Sequence, residues 1–237
     1  MKIMKSQKLD RLCVWLPLLA LAFTGCHSIG YKTGDRTAGT FRQASHALNA
    51  ESEALDFTIS SLNDLVENPA TDLKPQFKTY SASLDRLIAS VDETDKAVAK
   101  LRERSDVYFA AWDSEIEAMN YEAVRDQSES RRLEASNQVY SVVSRYDETQ
   151  NVVKPLISYF QDIQKALGTD LTADGLSAAR SIVENAANNT GKIQSALTQL
   201  TAEMIASSGR FSSTITGEPN RERLEKTSDS RADAANP

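Results

Sequence analysis

The stretch that decides the fold runs from Phe77 to Met119, FKTYSASLDRLIASVDETDKAVAKLRERSDVYFAAWDSEIEAM. Steps of seven from Phe77 give Leu84, Val91, Val98, Ser105, Trp112 and Met119, apolar at six of seven positions. Steps of seven from Tyr80 give Leu87, Thr94, Leu101, Tyr108, Glu115 and Glu122, apolar at four of seven. Two such rows three residues apart are the a/d seam of a coiled coil. Asp85-Arg86, Asp92-Glu93, Asp95-Lys96 and Arg102-Glu103-Arg104 fall between the rows and read as solvated flanks.

The pattern extends in both directions. Phe41, Leu48, Leu55 and Leu62 form one row, with Ala44, Thr58 and Leu65 beside it. Val139, Tyr146, Val153, Phe160 and Leu167 form another, flanked by Val142, Leu156 and Ile163. Leu176, Val183, Leu197 and Met204 form the last, partnered by Ala179, Ala186, Ile193 and Leu200. No glycine occurs between residues 40 and 167. That suits long helices, because an interior glycine costs about 1 kcal/mol. Strand signals are missing. The expected fold is all-α: an elongated antiparallel bundle of four helices near 38–67, 72–120, 123–167 and 172–207.

Local chemistry sets the boundaries. Asn68-Pro69 stops the first helix, because a residue before proline is pushed out of the α region. Thr71 or Asp72 can cap the second, with Pro75 in its first turn. Gly168 can end the third in a left-handed conformation, Thr172 can cap the fourth, and Pro155 should kink the third. Between the second and third helices the seam lapses over Arg125–Arg132. Either the chain bends at 119–124, or one helix continues through. Glu115 and Glu122 then mark a seam opening near the end of the rod.

The N-terminus reads as an address. Lys2, Lys5, Lys8 and Arg11 precede an apolar run from Leu12 to Phe23. The run is short of the roughly 20 residues that span a bilayer but suits a signal peptide. Phe23-Thr24-Gly25-Cys26 resembles a bacterial lipobox, with Phe where Leu is usual. The expectation is a lipoprotein signal over 1–25, with acyl chains, palmitate among them, on Cys26; the alternatives are an ordinary cleaved signal or an uncleaved anchor. Cleavage takes four of the 27 basic and one of the 33 acidic side chains and leaves a net charge of −9. So acidic a chain argues against nucleic acid as a partner. Only Cys26 would remain, so no internal disulfide can form. His27 follows in place of an inner-membrane retention Asp, which points to the outer membrane facing the periplasm. Residues 26–37 read as lipidated cysteine and tether, 38–207 as the bundle and 208–237 as a disordered tail.

One resemblance rests on order and spacing. Trp112-Asp113-Ser114-Glu115 closes a long helix, and Arg125, Ser128, Leu133 and Tyr140 follow. Val153-Lys154-Pro155-Leu156 and Phe160-Gln161-Asp162 come next. Over about 38–207 the chain resembles the bacterial envelope proteins grouped as domain of unknown function 2959. The resemblance implies a helical, envelope-associated protein and supplies no active site. A Lys-His-Asn-Leu-Asn-like run expected after Phe160 and Asp162 is replaced by Ile163-Gln164-Lys165-Ala166-Leu167-Gly168.

The chain carries few residues in patterns that suit catalysis or metal binding. His27 lies in the tether and His46 on a helix flank, and no Glu-x-x-His pair is present for a di-metal bundle. Asp170-Leu171-Thr172-Ala173-Asp174-Gly175 has the first half of a calcium loop, but position twelve is Ser181 rather than Glu. Asn188-Asn189-Thr190 is a chance glycosylation match. No catalytic residue, cofactor or metal is expected. The expected function is a lipid-anchored spacer that binds an envelope partner or assembles with its own copies. Arg125, Arg131, Arg132 and Trp112 are the candidate contact residues, at a distal tip near 119–132. The alternative is a ligand-sensing bundle with a pocket around Trp112, Tyr108 and Tyr140.

Overall fold

The computed structural model describes residues 29–214; the stretch expected to be a signal peptide, Cys26, His27 and the tail beyond 214 lie outside the described residues. Four helices follow one another: α1 (Ile29–Glu67), α2 (Lys74–Glu117), α3 (Glu122–Thr169) and α4 (Ala173–Phe211). There are no strands among the described residues. Helices of 39 to 48 residues reach roughly 60–70 Å at 1.5 Å per residue. α1 packs on α2 and α4, and α3 on the same two, so α1 and α3 are diagonal partners. Short turns join neighbours, so the helices alternate in direction.

The predicted rows are the core. Phe41, Leu48, Leu55 and Leu62 are wholly buried, as are Tyr80, Leu84, Leu87, Phe160, Leu167 and Leu197. Truncating any of the leucines to alanine should cost about 2–5 kcal/mol, because packed interiors collapse only partly onto a void. α1 lies closer to its neighbours than α3 does. Its buried face explains this: Thr33, Thr37, Ala38, Thr40, Ala44 and Ser45 are small. Their hydroxyls bond to backbone carbonyls, Thr37 Oγ1 to Thr33 at 3.0 Å and Thr58 Oγ1 to Ala54 at 2.8 Å. Such bonds satisfy a polar atom that burial would otherwise penalise.

Several boundaries differ from the sequence reading. α1 begins at Ile29 rather than near 38, so the described part of the expected tether is helical. Gly30, Gly34 and the threonines look like linker composition. In the bundle Gly34 lets another chain segment close in: a Cβ there would stand 3.0 Å from the Phe211 carbonyl. α4 runs to Phe211 rather than 207, with Ser207, Ser208 and Phe211 buried. Phe211 stacks on Phe41 at 5.3 Å, and Asp35 accepts from Ser213 N at 2.7 Å and Ser213 Oγ at 2.8 Å. The first four tail residues, 208–211, are therefore structural.

Neither Thr71 nor Asp72 is the cap of α2; Leu73 is, with Asp72 accepting from Lys74 N at 3.1 Å. α3 continues through Gly168 to Thr169 and caps at Asp170, so Gly168 does not end it. Its missing side chain makes room for the Phe77 ring, which a Cβ would meet at 3.3 Å. Thr172 does cap α4, accepting from Gly175 N at 3.1 Å. α2 and α3 are separate helices joined by a turn at 118–121, and α3 runs through Pro155.

Candidate functional site

The α2–α3 hairpin is the candidate contact region, and its position decides what it can touch. Thr37 on α1 reaches the Arg104 carbonyl on α2 at 3.4 Å, and a Cβ on Gly34 would meet the Tyr108 ring at 3.5 Å. Arg42 bonds Ser208 at 3.0 Å and Gln138 bonds Ser207 at 3.2 Å. The start of α1, the end of α4 and the α2–α3 turn therefore share one end of the bundle. The turns at 68–73 and 170–172 form the other. The tip expected to be distal from the N-terminus is beside it, because two antiparallel helices bring the chain back to where it began.

Beyond the last turn of α4 the hairpin continues as two helices. Between Trp112 and Gln138 only Ile116 is buried. Polar clamps do the work an apolar core does elsewhere. Trp112 Nε1 donates to Ser128 Oγ at 2.8 Å. Arg132 Nη2 reaches Asp113 Oδ2 at 2.7 Å, while its guanidinium lies 5.2 Å from the Phe109 ring centre. Arg131 pairs with Glu134, and Arg125 lies 4.0 Å from Glu129. The three arginines expected to face a partner are each turned toward a carboxylate of this chain.

The expected pocket around Trp112, Tyr108 and Tyr140 is not assembled. Tyr108 joins Trp112, Phe109 and Phe211 in an aromatic cluster with ring centres 5.3–5.8 Å apart. Burial there raises the Tyr108 hydroxyl pKa. Tyr140 lies apart, 76% exposed. It helps line an open groove of about 440 Å³ between α2 and α3 with Arg102, Asp106, Phe109 and Arg132. Glu115 and Glu122 are exposed, as a seam opening requires, and His46 is exposed too. At the calcium half-loop, Asp170 Oδ1 accepts from Thr172 Oγ1 at 2.7 Å, so this oxygen supports the cap of α4. Among the described residues no group of three or more His, Cys, Asp or Glu could hold a metal ion. No described helix is long and apolar enough to cross a membrane.

Sequence reading missed a polar cluster midway along the bundle. Glu51 is wholly buried and accepts from Gln150 Nε2 at 2.9 Å. Burial raises its pKa, against smaller opposing effects from the Gln150 and Thr94 side chains. Glu51 Oε2 and Gln150 Oε1 have no partner among the described residues. Asp95, read as a solvated flank, accepts from Tyr146 Oη at 2.5 Å and Lys154 Nζ at 3.0 Å. Burial and the Asp95 bond push the Tyr146 hydroxyl pKa up. A signal existed: Glu51 fills the gap in the row Ala44, Thr58, Leu65.

None of the curated proteins matches the chain, and no solved structure does. Residues 23–215 match the family described as protein of unknown function (DUF2959), which extends the likeness carried by Trp112–Glu115, Lys154-Pro155 and Phe160–Asp162 across the bundle. The chain is a member of the DUF2959 family.

Proposed function

We propose that this protein is a lipid-anchored component of the bacterial envelope, facing the periplasm from the outer membrane, whose bundle works as a spacer and binding surface rather than a catalyst. The observation that carries the reading is the lipobox-like Phe23-Thr24-Gly25-Cys26 three residues before a rigid four-helix rod begins at Ile29. With so short a link, an acylated Cys26 would hold the rod by the end that carries the α2–α3 turn. The turns at 68–73 and 170–172 would then stand roughly 60 Å away. Those far turns, with Asn68, Asp72, Lys74 and Asp170, would be the surface offered to an envelope partner, in place of the arginine tip. Self-assembly through the flanks is the competing use of the same rod.

Envelope fractionation of native protein and Cys26→Ala tests the anchor. The native protein should sediment with membranes and the variant should be released. A variant that stays with the membranes would sink lipid anchoring. Crosslinking with charge-reversed residues at 68–74 tests the partner surface, since a lost adduct would assign it.

A further inference from the structure

We propose that the α2–α3 turn, led by Tyr121 and Val124, is a second membrane contact that seats in the headgroup region of the leaflet holding the lipid on Cys26. The inference rests on acylation of Cys26 and adds a protein surface to that anchor.

Thr37 lies level with Arg104, and Gly34 with Tyr108. Antiparallel helices keep that pairing, which places Ile29 level with about Trp112. From there α2 runs on to Glu117 and the turn follows, so the tip projects about 8–11 Å past Ile29 at 1.5 Å per residue. Cys26 is three residues from Ile29, a span of at most about 10 Å when extended. A bilayer that holds the acyl chains of Cys26 must therefore meet the tip at about the same depth.

The tip also exposes apolar side chains. Tyr121 is 79% exposed and Val124 56%. Tyr31, on the first turn of α1 at this same end, is 58% exposed. The opposite turns carry Leu73 and Leu171, but both are half-buried, and the exposed residues there include Glu67, Asn68, Pro69 and Ala70, then Thr169 and Asp170. Tyrosine carries an apolar ring and a hydroxyl, which suits the boundary between acyl chains and water. The charges refine the choice. Glu117 and Glu122 flank the turn, exposed. They disfavour a strongly anionic surface and suit the ammonium groups of an ethanolamine-rich leaflet.

The experiment uses full-length protein purified from membranes, with acylation of Cys26 established by mass spectrometry. It is reconstituted into phosphatidylethanolamine–phosphatidylcholine vesicles whose acyl chains carry bromine, a contact quencher of tryptophan. Trp112→Phe removes the single tryptophan left after signal cleavage. Tyr121→Trp or Val124→Trp then reports on the tip and Ala70→Trp on the far turn; because Trp112→Phe also removes the bond to Ser128, unchanged amide exchange over 110–134 and an unchanged helical circular dichroism spectrum together control for folding. Acylated protein whose tip reporters are quenched several-fold more than the far reporter supports the contact. Equal, weak quenching at tip and far turn in acylated protein overturns the contact and leaves the anchor standing. Cys26 found without acyl chains overturns both.

Discussion

Gln150 on α3 donates to the buried carboxyl of Glu51 on α1 at 2.9 Å, joining the two helices that share no direct packing face. Burial raises the Glu51 pKa, with Asp95 adding to the shift and Lys154 opposing it. The sign follows by linkage: the folded state holds its proton more tightly than the unfolded one. That contribution is fully present below the unfolded value of about 4.5. It is lost as pH rises through the raised folded value. Glu51→Gln keeps the shape and removes the titration. Its thermal midpoint should match the native protein near pH 4 and exceed it increasingly toward pH 8. A constant offset across that range would show that Glu51 titrates alike in both states.

Phe211 ties the end of α4 to the start of α1. Its ring stacks on Phe41, meets Tyr108 edge-on, and its carbonyl lies over Gly34. Phe211→Ala should cost about 3–5 kcal/mol, or roughly 6–20 °C at about 2–4 °C per kcal/mol for a chain of this size. A truncation after Ser207 should do at least as much and expose the first turns of α1 to hydrogen exchange. One after Thr214 should change neither. Thermal melts and exchange mass spectrometry on the same three proteins check this.

The rows through Phe77, Phe41, Val139 and Leu176 were legible because apolar residues recur every seven positions along each helix, and most of them are buried in the bundle. What sequence hid was partnership. Glu51 has the row position of a core residue, but nothing nearby in sequence announces Gln150, 99 residues away. Asp95 looks like half of an exposed Asp-Lys flank until Tyr146 and Lys154 arrive from α3. The helical start at Ile29 was hidden because Gly34 is linker composition alone and a close-approach site only opposite Phe211. The tip's direction was available from counting: in an alternating bundle the second turn returns to the starting end.

Gly175 holds the α3–α4 turn together. A Cβ there would lie 2.2 Å from the Asp170 carbonyl oxygen and 2.9 Å from its Cγ. Gly175→Ala must push the two apart and disturb the Thr172 cap. It should cost about 1–3 kcal/mol, against about 1 kcal/mol for Thr172→Ala. Chemical denaturation of the two variants measures the difference. Excess calcium should shift neither midpoint, because Ser181 stands where a bidentate carboxylate is needed and Asp170 Oδ1 and Thr172 Oγ1 are engaged in capping.

Arg132 is the clamp of the protruding hairpin. Its guanidinium bonds Asp113 and covers Phe109, and with Trp112–Ser128 it closes a segment in which Ile116 is the one buried side chain between Trp112 and Gln138. Arg132→Ala removes a partly exposed ion pair worth up to about 1 kcal/mol and a cation–π contact worth about 0.5–1 kcal/mol. Global unfolding should shift by no more than about 1–2 kcal/mol, because the four-helix core lies below this point. The local effect should be larger. Amides of 110–117 and 122–134 should exchange several-fold faster while those around Leu84 and Phe160 keep their protection. Arg132→Lys keeps the charge but loses the planar stack, so it should recover only part of the protection. A double-mutant cycle with Asp113→Ala separates the ion pair from the stacking. If exchange speeds up evenly along α2 and α3, the hairpin is not an independently opening unit and Arg132 is one more contact of the common core.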